Sequence, residues 1–212
     1  MAIVCPTVTA TETHGFRTQI ERVQPFAKRI HIDLADGDFA PKLINVSKIW
    51  WPPHMIVDVH MMFHRPLEEL FLLAKLKPNL VIIHAEADGN FKEVVEVLRS
   101  ANVKIGVALL ETTPLEAILP EIDNIDHILI FSGHLGHFGG VANMDLLDKV
   151  RKIKQLHKPI EVGWDGGINE ENIKQLSDGG VDVLNVGGFI QRSDDPVNAY
   201  AKLNLAIMDG NK

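Results

Sequence analysis

Short apolar, β-branched runs alternate along the chain with longer segments whose apolar residues recur at helical spacing. Residues 3–8, 29–34, 56–61, 80–84, 104–109, 127–131, 159–164 and 183–186 read as strands. Residues 12–27, 66–76, 91–101, 114–121, 143–157, 170–179 and 196–208 read as helices, while 46–53 (VSKIWWPP) reads as a short, broken connection. Eight strands in alternation predict an α/β fold of the TIM (β/α)8 barrel type, with residues 1–212 forming a single domain. A doubly wound open sheet competes, but it normally needs fewer strands, and no GxGxxG follows the first one. No linker or low-complexity tract interrupts the pattern.

A barrel places chemistry at the carboxyl ends of its strands. His31 and Asp33 close the second strand, on one face because side chains alternate along a strand. Asp58 and His60 close the third, and His84 and Glu86 the fourth. Ser132, His134 and His137 follow the sixth, Asp165 ends the seventh, and Gly187-Gly188 follow the eighth. Polar and glycine residues thus gather at one end of the expected barrel.

The chain has 212 residues and a formal net charge of −7, which argues against nucleic acid or an anionic membrane as a general partner. The single cysteine, Cys5, has no intrachain partner, which fits a reducing compartment. MAIVCPTVTA lacks a basic n-region, and no apolar run reaches the roughly 18 residues of a membrane helix. A soluble, cytoplasmic protein is expected.

Burying charge is costly unless the charge is paired or bound to a metal. His31, Asp33, His60 and Asp165 are candidates to converge on one divalent ion, for which zinc, iron, manganese and cobalt all suit imidazole and carboxylate. The alternative is that the histidines are hydrogen-bonded core groups. Asp33 and Asp165 would also serve as opposed acid/base groups. One takes a proton from carbon and the other returns one to the opposite face, with the metal holding the oxygens of the enediolate between those steps. That sequence inverts a carbon centre. Gly139-Gly140, Gly166-Gly167 and Gly187-Gly188 follow strands six to eight, where backbone amides can bind phosphate. For any one pair alone, turn conformation is the stronger reading. The last two together favour the phosphate reading.

These motifs resemble the ribulose-phosphate 3-epimerase family from the first strand to the last helix. The H-x-D-x-x-D-G-x-F-x-P block stands as HIDLADGDFAP, D-x-H-x-M as DVHMM, H-x-E as His84–Glu86, and the acidic glycine motif as WDGG. Pro6-Thr7 takes the place of a proline and a small hydroxyl residue. The resemblance implies metal binding by His31, Asp33, His60 and Asp165, and acid/base roles for Asp33 and Asp165. It implies substrate contacts from Thr7 and Met62, a small sugar phosphate as partner, and a homo-oligomer. Carbon 3 of D-ribulose 5-phosphate is the expected reaction centre. A hexulose 6-phosphate epimerase and a non-catalytic sugar-phosphate binder are the alternatives.

The chain also departs from the family. Ala35 replaces methionine, HLGHFGGV replaces a loop like E-P-G-F-G-G-Q, and Gly187-Gly188 replaces Gly-Ser. Glu111 replaces a common proline and brings an anion towards the mouth. His134 and His137 are either solvated loop residues or contacts for an altered substrate or a second ion, and Trp50, Trp51 and Trp164 read as packing groups. Related barrels built on D-x-K-x-x-D are disfavoured, because Ala35 stands where the lysine would be.

Overall fold

The computed structural model describes residues 2–137 and 139–208. Strands β1 (Ile3–Thr9), β2 (Arg29–Ala35), β3 (Ile56–Met62), β4 (Leu80–His84), β5 (Lys104–Leu109), β6 (His127–Phe131), β7 (Glu161–Asp165) and β8 (Val183–Val186) pair in parallel and in sequence order. β8 returns to β1, so the sheet closes into the expected TIM barrel. Around it lie α1 (Thr13–Val23), α2 (Leu67–Leu76), α3 (Phe91–Ser100), α4 (Leu147–Gln155), α5 (Ile173–Asp178), α6 (Gly188–Gln191) and α7 (Pro196–Met208).

Strand alternation sorts the side chains into two environments. Ile30, Ile32 and Leu34 on β2, and Val57, Val59 and Met61 on β3, enter the apolar layer beneath the helices. The intervening residues enter the barrel. There Leu80, Ile82, Ala108 and Leu129 form an apolar plug, packing that needs no polar partner.

A charged network closes the amino-terminal end of the barrel. Arg29 donates from Nε to Asp58 Oδ2 at 2.6 Å and through its fork to both oxygens of Glu161 at 2.8 and 2.7 Å. Asn79 Nδ2 donates to the other oxygen of Asp58 at 2.9 Å, and His127 Nδ1 lies 2.9 Å from Glu161 Oε2. Burial pushes the Glu161 carboxyl up, but the hydrogen bonds from Arg29 and His127 outweigh it and hold the group well below the usual carboxylate range.

Several element boundaries differ from the sequence pattern. The expected helix over 114–121 is instead two 3-10 segments, Leu115–Ala117 and Leu119–Asn124. Pro120 has no N–H to donate and crowds the preceding turn, so an α-helix cannot run through it. The helix expected over 143–157 opens as a 3-10 turn, Met144–Leu146, before α4 begins. The helix expected over 170–179 contracts to α5, because Asn169 Oδ1 and Asn172 Oδ1 take backbone amides for local turns. β7 starts at Glu161 rather than 159, since the Ile160 N–H turns back to the Lys158 carbonyl at 2.8 Å. The four-residue α6 was not expected, being too short to show a periodicity. Among the described residues no helix is long and apolar enough to cross a membrane.

Candidate active site

His31 and Asp33 occupy alternate positions of β2, and register pairing sets Asp33 beside His60 of β3. Asp165 is the last residue of β7. His31 Nε2 lies 3.2 Å from Asp33 Oδ1 and 3.6 Å from Asp165 Oδ2, while His60 Nδ1 lies 3.2 and 3.9 Å from the same two oxygens. All four ligand atoms fall within 4.8 Å of one another. Donors on bonds of about 2 Å around a tetrahedral ion stand about 3.3 Å apart, so the spacing suits one small divalent cation. His31 supplies a second sign. It is fully buried, yet neither ring nitrogen makes a hydrogen bond among the described residues. Its Nε2 lies near the carboxylates without meeting hydrogen-bond geometry, as expected where lone pairs converge on a common point. The donor set fits a divalent metal.

A relay behind His60 fixes its orientation. His60 Nε2 meets His84 Nε2 at 2.9 Å, and His84 Nδ1 meets Glu86 Oε2 at 3.1 Å. The other Glu86 oxygen accepts from Leu110 N and Thr113 Oγ1. With protons assigned to satisfy this chain, His84 donates to Glu86, His60 donates to His84, and the His60 Nδ1 lone pair faces the cluster. Glu86 sits at about 2 because the donors from His84, Thr113 and Leu110 outweigh its burial. Replacing Glu86 with Gln removes the charged anchor at nearly constant size. It should weaken metal binding about 10- to 100-fold in a metal-buffered titration. Unchanged affinity would show that the relay does not orient His60.

The two aspartates differ in electrostatics. Burial, reinforced by the charge of Asp33, pushes Asp165 up to about 7. Burial also raises Asp33, but its close contacts with the imidazoles of His31 and His60 outweigh it and hold Asp33 far below the usual range. Thr9 Oγ1 adds a 2.6 Å bond to Asp33 Oδ2. Burial, with a further push from His84, lowers His60 to about 4 against the opposing pull of Asp33, which leaves a neutral imidazole.

Asp33 and Asp165 face a cavity of about 300 Å³. Thr7 and Met62 line it, as do all six glycines singled out from sequence: Gly139, Gly140, Gly166, Gly167, Gly187 and Gly188. His31 and His60 are fully buried and do not line it. His137 reaches this cavity, whereas His134 and Glu111 line a neighbouring cleft. Trp164 is buried and donates from Nε1 to the Gly166 carbonyl at 3.0 Å, so it steadies the turn after β7. Sequence reasoning missed Asn185, Phe131, Phe189 and Arg192 on the cavity wall. For Asn185 a signal existed: it is the one polar residue of β8, Val183–Val186.

The Gly166-Gly167 turn packs backbone against backbone. A Cβ on Gly166 would collide with the Ser132 carbonyl oxygen, and one on Gly167, at φ +71°, would collide with the Ala142 nitrogen. These glycines therefore pin the β6 and β7 loops together whatever ligand their amides meet. Gly167→Ala should cost about 2 kcal/mol in a urea midpoint, through clash and positive φ together. A neutral substitution would mean the loop moves freely.

The model of the ribulose-phosphate 3 epimerase family matches residues 3–191 of the chain. The ribulose-phosphate 3-epimerase of Helicobacter pylori (strain ATCC 700392 / 26695) is 32% identical over 206 residues, covering 91% of this chain and 92% of that protein. The enzyme of the same name from Bacillus subtilis (strain 168) is 25% identical over 213 residues, covering 96% and 98%. Among solved structures, KGPDC from Streptococcus mutans superposes with a TM-score of 0.76 at 14% identity, covering 99% of this chain and 98% of that one. The 3-hexulose-6-phosphate synthase of Salmonella typhimurium gives 0.75 at 16%, covering 97% and 98%. At such identities these two structures speak to the fold alone.

Proposed function

The chain belongs to the ribulose-phosphate 3-epimerase family, and from that premise we propose that it is a metal-dependent epimerase inverting carbon 3 of a ketose phosphate, with D-ribulose 5-phosphate and D-xylulose 5-phosphate as its substrate pair. The observation that carries this reading is geometric: Asp33 and Asp165, from strands on different parts of the barrel, line one cavity and belong to one donor set that fits a divalent metal.

The hydrogen on a carbon next to a carbonyl is acidic enough for a positioned carboxylate to remove. The ionised carboxylate takes that proton from one face, and the protonated one delivers its own to the other face. The roles exchange for the reverse reaction, and both groups re-equilibrate with solvent between turnovers. His31, Asp33, His60 and Asp165 would hold a divalent ion, which when bound supplies Lewis-acid stabilisation of charge developing on substrate oxygens. The amides of Gly166-Gly167 and Gly187-Gly188, on the cavity wall, would hold the phosphate, with Met62 against the carbon chain.

The test is a panel of ketopentose and ketohexose phosphates offered to protein of measured metal content. Ribulose 5-phosphate should be the fastest substrate, with the carbon 3 epimer as sole product. Faster conversion of a hexulose 6-phosphate would reassign the substrate. No conversion of any member would leave a binding protein and sink the proposal.

A further inference from the structure

Asn185 is 2% exposed, and both its Nδ2 and its Oδ1 are buried without a hydrogen-bond partner among the described residues. Its neighbours Leu184 and Val186 belong to the apolar layer under the helices, whereas Asn185 lines the cavity. Register sets it beside Asp165 of β7 on one side and Cys5 of β1 on the other. On its own strand it stands two residues before Gly187, so it lies between the acid/base cluster and the glycine turn after β8. Thr7 shares the condition: its hydroxyl is buried, lacks a partner among the described residues and lines the same cavity.

A buried carboxamide left unpaired is unfavourable, and an apolar side chain would fill the same wall without that cost. A group that both donates and accepts is matched by a hydroxyl, which does the same. A neutral amide also makes these bonds without adding a charge beside Asp165. We propose that Asn185 is a specificity-determining residue that reads a hydroxyl of the substrate's carbon chain, on the segment between the inverted carbon and the phosphate. For ribulose 5-phosphate this is the hydroxyl at carbon 4. The inference rests on the epimerase reading above.

The experiment crosses Asn185→Leu and Asn185→Ala with ribulose 5-phosphate and its 4-deoxy analogue. Wild-type protein should lose about 10- to 100-fold in kcat/KM when the hydroxyl is removed. Asn185→Leu should lose about as much on the full substrate and little more on the analogue, with metal affinity unchanged. Because the wild-type arm needs no variant, a variant that fails to fold leaves the substrate comparison intact. Wild-type indifference to the analogue, additive losses, or an Asn185 variant within twofold of wild type would overturn this inference alone, the amide then serving only solvent. A wild-type protein inert towards every ketose phosphate would overturn the epimerase reading and this inference with it.

Discussion

Asp165→Asn and Asp33→Asn are each expected to reduce epimerisation by about 10³-fold or more while leaving the far-ultraviolet circular dichroism spectrum unchanged. Asparagine keeps the volume of the side chain but neither takes nor gives the required proton. Asp165 ends β7 at the cavity, so the exchange removes chemistry without opening the core. Both aspartates belong to the proposed ligand set, so both variants should also lower metal affinity, Asp33→Asn the more because Asp33 accepts from Thr9 Oγ1 and contacts both His31 and His60. The two variants should differ in a further way. Each keeps one carboxylate, and so should exchange the carbon 3 hydrogen of only one epimer with solvent, without inversion. Near-parental inversion by either variant would defeat the two-acid scheme.

Arg29→Met is expected to destabilise the fold by about 3–5 kcal/mol in urea denaturation. The guanidinium bridges β2, β3 and β7, and Asp58 beneath it is 1% exposed, so its removal strands a buried carboxylate. Glu161 is about a third exposed and contributes less, being partly screened by solvent. Its pH signature is still defined. Its folded-state carboxyl lies below the ordinary value of 4.5, so the stability it contributes is present above that value and is lost as pH falls below it. The variant should lack this part of the acid dependence. Parental stability in Arg29→Met would make the network a passive filling of the barrel floor.

The parts of the molecule legible from sequence are those whose signal is repeated locally. Alternation along β2 showed one apolar face, Ile30, Ile32 and Leu34, and one polar face, His31 and Asp33, and the structure separates them in that way. The convergence of His31, Asp33, His60 and Asp165 followed because strand ends share one rim of a barrel. What escaped notice depended on partners distant in sequence or on a single residue. Pro120 broke a helix that its surrounding apolar spacing supports. His84 and Glu86 stood out at the end of β4, but no spacing rule announces the relay that joins them to His60 and Thr113. Asn185 is one polar residue in a short apolar strand, a signal with no local repeat behind it, and the structure places it on the cavity wall. The glycine pairs carried a mixed signal. Gly166 and Gly167 line the cavity, yet close backbone contact alone already requires them.

The most direct measurement is the isotope content of carbon 3 in the first product formed in D2O. Proton removal by one carboxylate and delivery by the other should place one solvent deuteron on nearly every early product molecule, while unconverted substrate stays largely protiated. Product that retains the original hydrogen at carbon 3 would contradict the account.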